Sequence, residues 1–489
     1  MTNIAMTPET PTRPRRLKER KIPPPDEHLV AALTAVSGRL AETPANQEEC
    51  VTETIDRRYE TLPYPPRNSN DDKRMLRLTS LDNLMTINQY CYAGRRNFDK
   101  SFRMLVAGGG TGDSLVFLAV QAASLPNAEI VYLDSNRESM NIAQERIRNQ
   151  AKRLALPNAE TMIDWRIGSL NDLQGMDLGR FDYVNFGGMS NHSGDTPDVL
   201  RKLAGVLNDD GAIGITVHGQ LGRTSICQIR EMMKIINRDV ADPEKKIYNT
   251  NLLLGNLPSS NPHRKNGRWL SCDPIEVYDL YLRETDRSLT FQEIVDGVAA
   301  AGLVLCQFAP SMTPLLVPEY LQCKLPQRIL TRLATMSLND AAVFCEYLVG
   351  IVNRYEFYVT KSVGTTVDLR DWDLIPSFSC YANANSLKNR LVNPPKDFGE
   401  SPSFRVGVYQ SSIQVPIDVS PLALASYPLI DDDRTMREIV HKLAATFTLR
   451  TQDLVRNELL KVWRHLIALD MIRFRHISSR VAHVNRFGF

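Results

Sequence analysis

The sequence predicts an α/β protein in which a mainly parallel sheet is covered by helices on both faces. From Phe102 onward, short apolar segments typical of buried strands alternate with amphipathic segments of helical period. The first strand, FRMLVA, runs into a cluster of glycines, and the second, AEIVYLD (128–134), ends in an acid. Such alternation indicates βαβ units, which place successive strands parallel in one buried sheet.

Further segments continue this pattern along the chain. Those typical of buried strands are IDWRIGSL, FDYVNFGG (181–188), AIGITVHG (212–219) and LVLCQF (303–308). Between the fourth and fifth strands, DVLRKLAGVLNDDG predicts a helix that stops at its glycine. The alternating YEFYVTKS (355–362) predicts a seventh strand, at an edge of the sheet.

Composition and spacing divide the chain into predicted regions. RRYETLPYPPRNSNDD (57–72) is too rich in proline for a helix, and two amphipathic helices near the C-terminus precede the strand-like MIRFRHI. The regions are a disordered tail (1–27), an N-terminal helical and Tyr/Pro lid segment (28–99), a sheet domain (100–365) with helical insertions at about 225–288 and 310–352, a connecting segment (366–410) and a small α+β winged-helix-like C-terminal domain (411–489).

Charge and composition exclude some classes of function. The chain carries 58 Lys and Arg against 56 Asp and Glu, whereas a dedicated nucleic-acid binder has a large basic excess. Between 434 and 489, 11 basic and 4 acidic side chains make the C-terminal end locally basic, by about +7. The cysteines and histidines are scattered without C-x-x-C or His-x-x-His spacing, which predicts reduced thiols and no metal site. With no apolar run near ~18 residues and no secretory signal, we expect a cytoplasmic protein without a membrane span.

The segment LVAGGGTGD (105–113) carries the strongest functional signal, because it follows a predicted strand and opens a predicted helix. Glycines let a backbone approach a ligand closely, and a helix N-terminus offers N–H groups to an anionic group. The dinucleotide pattern G-x-G-x-x-G would need glycine where Ala107 and Asp113 stand. The pattern Gly108-x-Gly110-x-Gly112 fits without exception.

This spacing resembles the adenosylmethionine-binding turn of class I methyltransferases, whose Rossmann-like sheet has seven strands. The resemblance is carried by residues 100–220, and the strands at 303–308 and 355–362 match the antiparallel end of that sheet. It implies S-adenosylmethionine as cofactor and S-adenosylhomocysteine as product. Asp134, which ends the second strand, can accept hydrogen bonds from both ribose hydroxyls. The residues that the resemblance places at the cofactor are Gly108, Gly109, Gly110, Gly112, Asp113, Asp134, Ser135, Ser169 and Leu170.

Two details of this set follow from the family's pattern. Ser169 and Leu170 stand where the family brackets the adenine. The acid often found two residues before the first glycine is replaced by Val106. A contact to the amino group of the cofactor's methionine must therefore come from elsewhere, and Asp113 is one candidate.

The layout of the whole chain is similar to bacterial methyltransferases with a regulatory domain, such as the outer-membrane-protein lysine methyltransferases. This resemblance implies a protein side-chain nitrogen of Lys or Arg as the methyl acceptor. NFGG (185–188) occupies the place of the (D/N)PPY motif of amine methylases but lacks its prolines and tyrosine. The alternatives are a small-molecule (natural-product) methyltransferase and a non-catalytic adenosylmethionine-binding regulatory protein. The charge balance disfavours nucleic-acid methylation, and the accessory regions also fit a homodimer interface.

Candidate catalytic residues lie where the acceptor is expected, beyond the carboxyl ends of the fourth and fifth strands. A nitrogen acceptor must lose its proton, which a nearby histidine, tyrosine or carboxylate can accept. The candidates are His192, Asn185, His218, Tyr59 and Tyr64, of which the two tyrosines belong to the predicted lid together with Arg67. Further pocket candidates are Arg223, Tyr278 and Asp279.

Overall fold

The fold is organised around one sheet of seven strands in a computed structural model of the chain. The ranges that the structure describes are 63–70, 72, 76–187, 196–266, 273–283, 288–310, 312–318, 325–379, 388–393, 403–407, 414–447 and 451–479. The predicted tail (1–27), the predicted helix that follows it, Tyr59, Gly188 and His192 lie outside the described residues.

The strand order across the main sheet is β3-β2-β1-β4-β5-β7-β6. Neighbouring strands are parallel except β7, which is antiparallel to both β5 and β6. This order confirms the predicted Rossmann-like, seven-stranded sheet with its antiparallel end. The strands are β1 Phe102–Ala107, β2 Ala128–Asp134, β3 Ile163–Ile167, β4 Phe181–Phe186, β5 Leu207–His218, β6 Val304–Phe308 and β7 Arg354–Thr360.

The prediction that the seventh strand lies at a sheet edge is wrong, because β7 lies between β5 and β6, and β6 forms the edge. Its alternation of polar and apolar residues suggested an exposed face. The polar face is instead buried beneath residues 80–81: the Ser80 hydroxyl donates to Glu356 at 2.5 Å, and the Tyr358 hydroxyl donates to the Leu81 carbonyl at 3.0 Å.

Helices cover both faces of the sheet. One face packs Leu105 and Val184 against helices of the second half of the domain, and the other packs Met104 and Tyr183 against the N-terminal helices. The helices up to β7 are α1 Leu84–Cys91, α2 Asp113–Ala122, α3 Arg137–Leu154, α4 Asn158–Thr161, α5 Thr196–Gly205, α6 Thr224–Ile236, α7 Pro243–Gly255, α8 Pro262–Asn266, α9 Pro274–Tyr281, α10 Phe291–Ala300, α11 Thr313–Leu316, α12 Gln327–Leu333 and α13 Leu338–Val349.

The boundary between α5 and β5 differs from the prediction. The helix was expected to stop at Gly211, but it ends at Gly205 and β5 begins at Leu207. Leu207 pairs with Phe181 at the start of β4, before a register shift in the ladder. Residues 207–211, which were predicted to be helical, therefore belong to β5.

The C-terminal part has its own apolar core. It contains β8 Leu374–Phe378, β9 Ser403–Gly407, β10 Gln414–Asp418, α14 Pro421–Ser426, α15 Met436–Phe447, α16 Gln452–Ala468 and β11 Ile472–His476. Strand β8 lies in the segment predicted as a connection, yet it pairs antiparallel with β11 and packs with the buried Trp463. The C-terminal core therefore begins before residue 411. The proline in the β8 sequence LIPSF is compatible with a strand because the ribbon has only two strands, so both are edge strands. The winged-helix-like assignment stays a prediction.

Across the described ranges, none of the helices combines the length and the apolar character needed to cross a membrane.

Candidate active site

A glycine-rich turn joins β1 to α2 at the carboxyl end of the parallel strands. Gly110 and Gly112 have φ values of 51° and 96°, in the left-handed region that glycine adopts without strain. A Cβ atom on Gly110 would lie 2.4 Å from the Tyr64 carbonyl oxygen, and one on Gly112 would lie 2.9 Å from the Ala143 Cβ. These positions of the turn therefore need glycine for backbone conformation and for space.

Asp134 ends β2 directly beside this turn. Its Oδ2 accepts a hydrogen bond from the Gly110 amide at 2.7 Å, and its Oδ1 accepts one from the Asn136 amide at 2.8 Å. The side chain remains half-exposed, and a carboxylate has about four lone-pair sites. Acceptor capacity is therefore left for the two hydroxyls of a ribose, and the cradle of glycines and carboxylate fits an adenosyl group.

The end of β3 lies next to Asp134, whose carbonyl accepts a hydrogen bond from the Gly168 amide at 3.0 Å. Ser169 caps a short 3₁₀ helix, Leu170–Gly175, through a bond from the Asn171 amide to its hydroxyl. Leu170 is buried in the core, and Ser135 is exposed beside Asp134. The contacts of Ser135, Ser169 and Leu170 with a cofactor stay predictions.

The proline-rich segment lies against the glycine turn, and we call residues 63–70 the strap. The Thr111 amide donates to the Tyr64 carbonyl at 3.2 Å, and the Thr111 hydroxyl donates to the Pro65 carbonyl at 2.7 Å. Arg67 reaches the first residue of α2, where its guanidinium donates to Asp113 at 2.8 Å. Two of the residues predicted to form a lid are thus placed at the turn.

Asp113 is enclosed by two arginines. Arg67 bonds both of its carboxylate oxygens, and Arg146 of α3 donates to Oδ1 at 2.7 Å. Burial acts to raise the pKa of Asp113, but the two guanidinium groups together hold it below its usual range. Asp113 therefore joins the strap to α2 and α3. A contact of Asp113 with the methionine amino group would have to form beside these two arginine bonds.

The side chain of Tyr64 connects the strap to the insertion after β5. Burial, together with the Asp279 carboxylate that accepts its O–H, raises the pKa of the Tyr64 phenol, while the positive charge of Arg223 opposes this shift. Asp279 also pairs with Arg283 at 3.0 Å, and Arg223, Tyr278 and Asp279 are all buried. The structure thus brings Tyr64, Arg223 and Asp279 together, although sequence reasoning selected them separately.

Asn185 lies at the end of β4 but points into the protein. Its amide donates to Asp82 Oδ1 at 2.7 Å, and the Thr79 hydroxyl donates to Oδ2 at 2.6 Å. Asp82 is fully buried, and burial raises the pKa of its carboxyl group. Sequence reasoning missed Asp82, because in LTSLDNL it resembles an ordinary residue before a helix cap. The predicted catalytic role of Asn185 remains untested.

Comparison with known proteins agrees with this geometry. Residues 105–215 match the Methyltransf_11 family, described as a methyltransferase domain. The chain contains a class I methyltransferase domain. The cofactor of this domain is S-adenosylmethionine.

Among solved structures, PKMT2 of Rickettsia typhi in complex with AdoHcy has a TM-score of 0.57 at 13% identity, over 81% of this chain and 76% of that one. At this identity, the likeness concerns the fold. An uncharacterised protein of Synechococcus is 25% identical over 274 residues, which are 54% of this chain and 62% of that protein. A demethylmenaquinone methyltransferase of Lactobacillus johnsonii is 31% identical over 106 residues, 22% of this chain and 39% of the enzyme. The chain thus spans less than two thirds of these curated relatives.

His218 ends β5 in the methyltransferase domain and is half-buried. Its carbonyl accepts a hydrogen bond from the Leu289 amide at 2.8 Å, and it lies opposite Arg354 in β7. Its position is at the expected carboxyl end of the strand. Its role, like that of His192 and Tyr59 outside the described residues, stays a prediction.

One group of potential metal ligands lies away from this domain's glycine turn. Asp371, Asp373 and His476 offer ligand atoms within 4.8 Å of one another. The two carboxylates, however, pair with Arg95 at 2.6 Å and with Arg437 at 3.2 Å. Because guanidinium groups already neutralise these carboxylates, the cluster is explained as an ion-pair network.

Proposed function

We propose that the protein transfers a methyl group from S-adenosylmethionine to a side-chain nitrogen of another protein, a lysine or an arginine. The observation that supports cofactor binding most directly is the Asp134 carboxylate, 2.7 Å from the Gly110 amide where a helix opens. When bound, the cofactor supplies a methyl group that its sulfonium already activates. The task of the chain is then to orient an acceptor and to exclude water.

The strap and the insertion after β5 support a nitrogen acceptor. Tyr64 spans from the glycine turn to Asp279, so a tyrosine and a carboxylate lie at the side of the turn that faces the insertion. A lysine must be deprotonated before it attacks a methyl carbon, and a carboxylate within reach can accept that proton. In this proposal Asp279 is the proton acceptor, and Tyr64 forms the wall between cofactor and acceptor.

The layout of the chain supports a protein as the acceptor. The similarity in fold to PKMT2 covers most of both chains, including parts beyond the methyltransferase domain. The identity with a demethylmenaquinone methyltransferase favours a second candidate, a small-molecule acceptor.

One labelling experiment separates these functions. The full chain is incubated with methyl-labelled S-adenosylmethionine and a cell extract, in parallel with the Asp134→Ala variant. We expect label in protease-sensitive macromolecules, and methyl-lysine or methyl-arginine after acid hydrolysis, with the wild type alone. Label confined to small molecules would reject the protein acceptor. Cofactor binding without any transferred label would instead favour a non-catalytic protein.

A further inference from the structure

The strap is held in place by a continuous chain of charged side chains. Arg67 of the strap bonds Asp113, which bonds Arg146, and Arg146 bonds Asp72 just beyond the strap, with Nε to Oδ2 at 2.7 Å and Nη2 to Oδ1 at 3.1 Å. Arg146 also donates to the Thr111 carbonyl of the glycine turn at 2.9 Å. Four charges of alternating sign thus link the strap, the first residue of α2 and the middle of α3.

Burial makes this chain stronger than a surface ion pair. The side chains of Arg146 and Asp72 are 0% and 1% exposed, and those of Arg67 and Asp113 are 18% and 23% exposed. Charge-assisted bonds to a carboxylate from a planar guanidinium fix direction as well as distance, and at partly buried sites water screens them less. Each charge in the chain has an opposite neighbour, so the burial is electrostatically balanced.

Side chains of helix α3 also form hydrogen bonds with the backbone at the end of the strap. Asn149 donates to the Ser69 carbonyl at 2.9 Å, and Gln150 donates to the Asp72 carbonyl at 2.9 Å. Because Arg146, Asn149 and Gln150 are spaced by three and four residues, they lie on one face of the helix. This face bonds the end of the strap, whereas the beginning of the strap is bonded by Thr111.

We propose that Arg67 is a positioning residue for the cofactor: through Asp113, it holds Tyr64 and Pro65 against the glycine turn. This inference rests on the proposed binding of adenosylmethionine at that turn. Arg67 keeps the strap in the arrangement that lies against Gly110 and Thr111. The strap is then already ordered in the ligand-free protein, so ligand binding does not have to supply the free energy of ordering it. A strap that is in place only a tenth of the time would weaken the apparent affinity about tenfold.

The contacts also predict which part of the ligand senses the change. The strap bonds Thr111 and Asp113, at the start of α2, whereas Ser169 and Leu170, the residues predicted to bracket the adenine, follow β3. Asp113 is the candidate contact to the amino group of the cofactor's methionine. Loss of the strap should therefore affect binding of the amino-acid end of the ligand more than binding of the adenosine end.

The test compares Arg67→Met with Arg67→Lys and with a control, Arg370→Met. Arg370 forms a similar two-pronged pair with Asp368, with Nε at 2.9 Å and Nη2 at 2.8 Å, but it is exposed and far along the chain from the turn. Calorimetry measures the Kd of each full-length variant for S-adenosylhomocysteine and for methylthioadenosine, which lacks the amino-acid end. Hydrogen exchange measures the Thr111 amide in the ligand-free protein.

For Arg67→Met we expect a Kd for S-adenosylhomocysteine raised about tenfold, a smaller change for methylthioadenosine, and faster exchange at Thr111. Arg67→Lys should retain part of the affinity, since lysine keeps the positive charge but cannot form the two-pronged hydrogen bond of a guanidinium group. Arg370→Met should match the wild type. Unchanged exchange and unchanged Kd in Arg67→Met would overturn the inference, and so would equal losses for both ligands. If the wild type binds neither ligand, the proposed function fails, while the exchange rate at Thr111 still decides whether Arg67 holds the strap.

Discussion

Replacing Asp134 by alanine tests the central assignment, because the variant removes the carboxylate that lies beside the Gly110 amide at the turn. Two hydrogen bonds from ribose hydroxyls to a charged acceptor contribute about 1.5–3 kcal/mol each. Even the lower end, about 3 kcal/mol in total, corresponds to a Kd raised about a hundredfold. The variant also loses the bonds from the Gly110 and Asn136 amides, at 2.7 and 2.8 Å, but both residues are half-exposed beyond the carboxyl ends of β1 and β2, so water can replace the acceptor.

Calorimetry with S-adenosylhomocysteine measures this loss, and thermal melting reports whether the fold is retained. Asp134→Asn keeps the shape without the charge, so its Kd should lie between those of the wild type and Asp134→Ala. Asp164→Ala is the matched control, because Asp164 lies on the adjacent β3, its side chain is 38% exposed, and it forms an ion pair with Arg166 of the same strand at 2.8 Å. A Kd of Asp134→Ala within about threefold of the wild type, with an unchanged melting temperature, would refute the assignment of the ribose site.

Three further substitutions examine other parts of the structure. In Gly110→Ala the new Cβ meets the Tyr64 carbonyl at 2.4 Å, at a φ of 51°, so we expect stability lower by about 1–2 kcal/mol and weaker cofactor binding; melting and calorimetry check this, and unchanged values would contradict it. Burial raises the pKa of Asp82, so the folded state keeps its proton at pH values where the unfolded chain has lost it, and stability falls as pH rises from the usual aspartate range towards the folded pKa. Asp82→Asn should flatten the fall in melting temperature as the pH rises above the usual aspartate range, and parallel curves would exclude this explanation. Trp463→Ala empties a fully buried position in the C-terminal core and should cost about 3–5 kcal/mol in urea unfolding; a midpoint equal to that of the wild type would show that the core does not depend on this side chain.

The sheet and the glycine turn were predictable because their signals are local. Each strand is a short apolar run, and Gly108-x-Gly110-x-Gly112 encodes left-handed backbone at fixed spacing. The position of β7 was not predictable from its alternation, because the segment at 80–81 that buries its polar face lies more than 270 residues away in sequence.

The ionic chain at the strap was missed for the same reason. Arg146 reads as one more charge on an amphipathic helix, yet its partners Asp72 and Asp113 are 74 and 33 residues away. A single sequence gives no pairing between distant charges. The Pro-rich composition of the strap excluded a helix and suggested a lid, but the carboxylates that hold the strap, Asp72 and Asp113, could be identified only from the structure.

The placement of β6 at the sheet edge has a consequence for assembly on the ribosome. Strand β6 is synthesised before β7, but it joins the sheet through β7, which inserts antiparallel beside β5. Until residues 354–360 emerge, β5 presents an open edge and β6 has no neighbour in the sheet. Nascent chains that stall in this interval would expose unpaired strands, the kind of surface on which chaperones act and from which aggregates grow.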